Sequence, residues 1–381
     1  AAAKLTDISL PGIVPGFAVT GGPVDLSVDN GAMTVKGNAN LDSAPVEFSW
    51  NKNFSARAGV ASRVEALLPL DAAMLAKFGV PADLKISGAI PATVVYTVAQ
   101  DKTATLSLRG DLTPAGFAIP AAGYEKQAGR AGAVSMTLML DAAGNLQRLS
   151  DLDLSSEGDA LKGALEFGPG KTLRGGSFSR VKLGETDVTL GVEKSGGGYL
   201  LRVGGRQFDA SKILAEGDKP NSDDEAAKPV SPMAVSMAVD RLMTGKEKYI
   251  ERVKLILRKN GWNRIEQLEV GGVAGGKPLT LRYLPLQRGH SLRFEADNAG
   301  AALSALGVTG GVRGGRLVVN GQPDVKGGPR DLQGSVLLTD FSLVNVPVLG
   351  RLLNAMSLAG LNELLNGKGV AFKKAKASFQ W

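Results

Sequence analysis

Cysteine is absent from the 381 residues, which excludes disulfides, thiolate nucleophiles, iron–sulfur clusters and Cys-ligated zinc. A cysteine-free chain is compatible with an oxidising envelope space without requiring one. Histidine is almost absent too: His290 is the whole imidazole inventory. That removes multi-His metal sites and leaves hydrolytic triad chemistry a single candidate base. It sits in Arg288-Gly289-His290-Ser291, a turn-like setting with no marked nucleophile or orienting acid, so the chain reads as a non-enzyme without cofactor or metal. Aromatic residues make up only 5%, so Leu, Val, Ala and Met must supply the apolar surface that Trp, Tyr and Phe usually dominate. No apolar run reaches the ~18 residues of a transmembrane helix. Charge of one sign is also lacking. The 44 basic and 37 acidic residues leave +7, interspersed along the chain, which reads as a solvated face first and as weak attraction to anionic lipid headgroups second. No nucleic-acid partner is expected.

What is abundant is glycine, at 50 residues without a collagen period, and this fits a chain with very many turns. Between the turns, apolar and polar residues alternate with period two. Met136, Leu138 and Leu140 share one face, as do Leu161, Gly163, Leu165 and Phe167, and Val188, Leu190 and Val192. Later come Val235, Met237 and Val239; Val253, Leu255 and Leu257; Leu279, Leu281 and Tyr283; Leu292 and Phe294. Such alternation describes strands with one apolar and one wet face, not fully buried parallel strands. The intervening segments 141–145, 168–170, 194–198, 259–261 and 271–276 carry the Gly and Asn of tight hairpins, and hairpins join antiparallel strands. The expected fold is therefore mostly β, an elongated, curved antiparallel meander of about 18 strands forming a trough, with a few short capping helices. Helices are expected at 71–78, 298–306 and 347–366, the last as two short amphipathic pieces bent at 357–360.

Residues 216–232 are charged, contain proline and have no apolar period. They read as a linker or loop, dividing a β-rich segment 1–215 from a second β region 233–381 that ends in the helix pair 347–366. Other marked stretches have ordinary readings. Asp223-Asp224-Glu225 lacks EF-hand spacing, and the glycines at 196–198 and 310–315 lack the setting of a phosphate loop. Lys368, Lys373, Lys374 and Lys376 alternate along a strand and read as an outward face, or second as a headgroup contact.

Several short runs, taken in order, resemble the AsmA-like family of bacterial envelope proteins, the group that includes YhdP and TamB. They are Ala296-Asp-Asn-Ala-Gly300 with Leu303-Ser-Ala-Leu-Gly307; Val312-Arg-Gly-Gly315 leading through a strand to Gly321; and a closing strand–helix–helix–strand run. That last run spans residues 334–345, Pro347, Leu352-Leu353, Ser357-Leu-Ala-Gly-Leu361 and Leu365-Asn-Gly-Lys-Gly369. Residues 67–97 and Gly205-Arg-Gln-Phe-Asp209-Ala-Ser resemble pieces of the YhdP-type branch. The resemblance implies a periplasmic body of curved sheet, anchored in the inner membrane, that supports phospholipid movement toward the outer membrane. The chain begins without Met or signal peptide and stops at Trp381. It therefore reads as a segment of a longer protein, with any anchor outside it.

An apolar sheet face must be covered, and helices are too few here to cover it, so packing, partial closure or an apolar ligand remains. With the resemblance, the expected partner is phospholipid. The expected groove lining is Met136, Leu138, Leu140, Leu165, Phe167, Val188, Leu190, Val192, Val235, Met237, Val239, Val253, Leu255, Leu257, Leu279, Leu281, Leu292 and Phe294. Each of these, taken singly, reads first as plain core; the groove assignment belongs to the set. Leu349, Leu352, Leu353, Met356, Leu361, Leu364 and Leu365 are expected to cap the groove or touch a membrane. Two alternatives stand beside this reading. One is a structural or chaperone-like scaffold for outer-membrane protein assembly, with an outer-membrane protein as partner. The other is a carbohydrate-binding β protein, against which the scarcity of aromatic platforms counts.

Overall fold

The computed structural model describes residues 1–14, 17–55, 59–78, 80, 84–120, 124–217, 230–324, 331–344 and 369–380. The expected helix pair 347–366, with its seven cap residues Leu349, Leu352, Leu353, Met356, Leu361, Leu364 and Leu365, lies outside them, as do Asp223-Asp224-Glu225 and Lys368. The chain is mostly β, 71% strand and 7% helix, built of open mixed sheet with a few short helices. It holds 26 strands among the described residues, against about 18 expected. The surplus is largely short pieces of three to five residues, too brief for alternation to show.

Two compact units divide the chain, Ala1–Gly184 and Glu185–Trp381. Unit 1 opens with β1 (Ala2–Leu5), β2 (Ile8–Val14), β3 (Phe17–Gly21), β4 (Val24–Val28), β5 (Ala32–Leu41), β6 (Ala44–Asn53) and β7 (Val60–Asp71). There follow α1 (Ala72–Lys77), β8 (Lys85–Ser87), β9 (Ala89–Ala99), β10 (Ala104–Asp111), β11 (Gly116–Ile119) and β12 (Tyr124–Lys126). It ends with β13 (Ala133–Leu140), β14 (Leu146–Ser156), β15 (Asp159–Gly168) and β16 (Thr172–Leu183). The antiparallel succession β4-β5-β6-β7-β9-β10-β13-β14-β15-β16 is the expected meander. The small sheet β8-β11-β12 is separate from it. Turn chemistry drives the hairpins: at β13–β14 the Asp141 carboxylate accepts the N–H groups of Ala143 and Asn145 while Gly144 turns at φ +82°.

The core of unit 1 sits at one end of this face. Leu68, Leu70, Ile90, Ala92 and Val134 from the strands meet Met74 of α1 and Leu112, Ala115, Phe117 and Tyr124 around the small sheet. α1 starts where the sequence places it, because Asp71 accepts the Met74 N–H at 2.8 Å. Beside this core Lys126 is only 1% exposed, its Nζ donating to the carbonyls of Leu112 at 2.7 Å and Ala115 at 2.8 Å.

Unit 2 runs β17 (Thr186–Ser195), β18 (Gly198–Asp209), α2 (Ser211–Gly217), β19 (Met233–Gly245), β20 (Lys248–Lys259) and β21 (Ile265–Ala274). It continues with β22 (Lys277–Pro285), β23 (His290–Ala296), α3 (Ala299–Ala305), β24 (Val312–Pro323), β25 (Leu332–Leu343) and β26 (Val370–Gln380). Neighbours are antiparallel from β19 to β26, but β18 and β19 pair in parallel, from Tyr199 opposite Met233 to Asp209 opposite Met243. A parallel pair needs a crossover of a dozen or more residues. Asp209 and Met233 bound that connection, which begins with α2; residues 218–229 of the expected linker lie outside the described residues. The units divide upstream of it, at Gly184 and Glu185. Charge and proline mark where a chain leaves a sheet, not the edge to which it returns.

Two smaller differences follow from packing. The turn expected over 271–276 is confined to Gly275 and Gly276, and Gly271 and Gly272 lie in β21. At Gly272 any Cβ would stand 2.7 Å from Ile250 Cγ2, so the position takes glycine for close approach. α2 is not anticipated by period, although Asp209, which accepts the Ser211 N–H, is a start signal.

Candidate functional site

The strand register of unit 2 gathers the expected lining into rows that run across the sheet. A middle row joins Leu190, Val203, Met237, Leu255, Val270, Leu281, Phe294, Val319 and Val336, each directly opposite the next. On one side runs Val192, Leu201, Val235, Leu257, Leu268, Tyr283 and Leu292. On the other, Val188, Gly205, Val239 and Val253 are followed, past a bulge between β20 and β21, by Gly272, Leu279, Ala296 and Leu317. Since directly opposed residues share a face, all thirteen expected lining residues of this unit stand on one side of the sheet.

Unit 1 repeats the arrangement. Leu26, Val35, Trp50, Val64, Tyr96, Leu106, Leu138, Leu149 and Leu165 form one continuous row. Met136 stands opposite Leu108, Leu140 opposite Ala104 and Leu146, and Phe167 opposite Leu173. Sequence reasoning missed Val203, Val270, Val319, Val336, Leu201 and Leu268, and in unit 1 Leu149 and the whole of this row before Leu138. The signal was present in stretches such as Leu201-Arg202-Val203 and Tyr96-Thr97-Val98.

Burial along the strands is graded. In unit 2 the apolar side chains of the row nearest α3 are buried: Val188, Val239, Val253 and Leu279 are 6%, 4%, 1% and 3% exposed. Met237 and Phe294 in the middle row are nearly so. Leu190, Leu255, Leu281, Val192, Val235, Leu257 and Leu292 are only half-buried, as are Met136, Leu138, Leu140, Leu165 and Phe167 of unit 1. At that end α3 packs on β20, β21, β24 and β25 with Ala299, Ala302 and Ala305 buried, α2 packs on β19, and the Thr244 hydroxyl donates to the Ala305 carbonyl. Small residues let α3 lie close, but a seven-residue helix covers only one end of the rows. In unit 1, α1 and the small sheet close one end in the same way.

The opposite face is charged. Lys254 and Arg258, Thr280 and Arg282, and Arg293 and Glu295 alternate with the row residues, tied by surface pairs such as Arg202–Glu193 at 2.7 Å and Arg293–Glu295 at 2.6 Å. The Arg293 guanidinium holds the Glu295 carboxyl below the usual carboxylate range. A shallow depression of about 900 Å³ in unit 1 is lined by Thr93, Arg109, Ser135 and Asp153 of this wet face together with the apolar Leu67, Leu68, Pro69 and Pro91. His290 opens β23 and stacks on Tyr283 at 4.5 Å, with its Nδ1 buried and unpartnered among the described residues. Among those residues no group of three or more His, Asp or Glu side chains is placed to hold a metal, and no helix is long and apolar enough to cross a membrane.

The chain matches no protein-family model, no curated protein and no solved structure. The geometry of the sheets stands on its own. That geometry offers a non-directional apolar surface, several strands long, with a wet back and one covered end.

Proposed function

We propose that this chain binds phospholipid acyl chains on the apolar face of its sheets and lets them move along it. On this proposal it is part of an AsmA-like envelope protein, held in the periplasm by an inner-membrane anchor elsewhere in the full-length protein. There it would contribute to phospholipid traffic toward the outer membrane. The observation that carries the reading is the set of register-continuous rows in unit 2, half-buried away from α3. Nine strands at ~4.8 Å spread the longest row over roughly 38 Å. Each CH₂ taken from water onto that surface contributes ~0.8 kcal/mol without any directional contact. A bound chain can therefore be held firmly by many equivalent sites and still slide among them. The charged back keeps the sheet in water.

The test is lipid extraction and mass spectrometry of gently purified protein. Leu190→Asp and Leu281→Asp, both on half-buried middle-row positions, should lower bound phospholipid while the circular-dichroism β signature persists. Unfolding of both variants would make these positions ordinary core and end the groove assignment there. A lipid-free wild-type sheet that crosslinks instead to an outer-membrane protein would favour the scaffold reading.

A further inference from the structure

The end of unit 2 remote from α3 gathers exposed apolar and basic side chains on adjacent tips. There the β17–β18, β20–β21 and β22–β23 connections turn and β19 begins, as the pairing of Tyr199 with Met233, Met233 with Lys259 and Lys259 with Ile265 places them. Four large apolar side chains stand in solvent at these tips: Val230, Trp262, Ile265 and Leu286, at 49%, 52%, 41% and 47% exposure. Val230 belongs to the same cluster, since its N–H donates to the Gly261 carbonyl at 2.8 Å. The Trp262 turn is rigidly closed, with Asn260 Oδ1 accepting the N–H groups of Trp262 at 3.0 Å and Arg264 at 3.2 Å. Lys194, Arg264 and Arg288 are exposed on the same three tips and form no ion pair among the described residues. Glu266 is the acid beside them; Asp324 and Asp331 flank the next connection along the sheet.

A Trp and three aliphatic side chains held in water among exposed cations fit the interfacial zone of an anionic bilayer. Indole rings settle there at headgroup level, and each Lys or Arg is drawn to the negative surface. We propose that this end of unit 2 docks on an anionic phospholipid surface, with Trp262, Leu286, Ile265 and Val230 entering the headgroup layer. Lys194, Arg264 and Arg288 lie over the phosphates. The purpose of docking rests on the lipid-binding reading. The row of Val192, Val235, Leu257 and Leu292, the least covered of the three, is the one nearest the docked end, so lipid exchanges there and not past α3.

The test uses the full chain with W50F and W381F, which leave Trp262 as the indole reporter. It is mixed with vesicles of phosphatidylcholine alone or with phosphatidylglycerol, each also prepared with brominated acyl chains. Docking predicts sedimentation with the phosphatidylglycerol vesicles, weakened by salt, together with a blue shift and bromine quenching of Trp262. W262S/L286S or R264E/R288E should lower vesicle binding about tenfold or more, at unchanged melting temperature. No phosphatidylglycerol-dependent sedimentation, or tip variants that sediment like the parent, overturns the proposal; selective crosslinking of those tips to a protein would then assign them to a protein partner. Failure here is separable from failure of the cargo reading. Leu281→Asp should lose co-purified lipid and keep vesicle binding, whereas W262S/L286S should do the reverse.

Discussion

Gly272 shows how much of the apolar face is decided by single atoms. A side chain there would meet Ile250 Cγ2 at 2.7 Å and Val253 Cγ2 at 3.3 Å, whereas one at the adjacent Gly271 would meet nothing within 4 Å. Gly272→Val should therefore cost about 1–3 kcal/mol through overpacking. Gly271→Ala should stay within about 0.5 kcal/mol, a contrast that urea denaturation of the two variants measures. Lys126 is the complementary case. Burial pushes its ammonium below the usual lysine range while backbone carbonyls occupy its protons. Lys126→Met removes those donors and leaves the Leu112 and Ala115 carbonyls without them. The expected loss is about 2–4 kcal/mol, read from the denaturant midpoint. The two differ in legibility. Leu281 and its neighbours announce their face by alternation. Lys126, inside Glu125-Lys126-Gln127, looks like any solvated lysine, because its burial arises from two loops that converge on it in space.

Elements were legible where local chemistry is self-sufficient. Asn298 caps α3 by accepting the Ala301 N–H, and Gly307 leaves the helix at φ +76°, both on the expected residues. The β13–β14 hairpin is equally local, and it yields a pH prediction. Bonds from the Asn145 backbone and side chain hold the Asp141 carboxyl below its ordinary 3.8. A group whose pKa is lower when folded contributes stability that is present above its unfolded value and is lost as pH falls through its folded value. Acid unfolding should thus show stability declining below about pH 4, with Asp141→Ala already weaker at neutral pH and less sensitive to that acid step. An equal acid slope in both proteins would remove the turn carboxylate from the account. The crossover from β18 to β19 was not legible, because a parallel return depends on which sheet edge is free.

At the scale of the whole molecule, an apolar face left half-covered should make stability depend on what occupies it. Delipidated protein should melt at a lower temperature than protein as purified, and added phospholipid should restore the difference. Occupancy at a hundredfold above Kd corresponds to about 2.7 kcal/mol. Melting that ignores lipid would argue for a face that needs no ligand. By itself the amino-acid sequence determined that this chain is β-rich and which side chains share a face within each strand, because alternation follows from backbone geometry alone. It also determined that the chain's chemistry excludes thiols and clustered imidazoles. Only the tertiary structure decided that these faces align into rows, that bulges at Ser135/Thr137 and Glu251/Lys254 leave the alignment intact, and that α3 covers one end. The reason is physical. Strand pairing is made by backbone groups that every residue shares, so a sequence can say which way a side chain points without saying which strand will lie beside it.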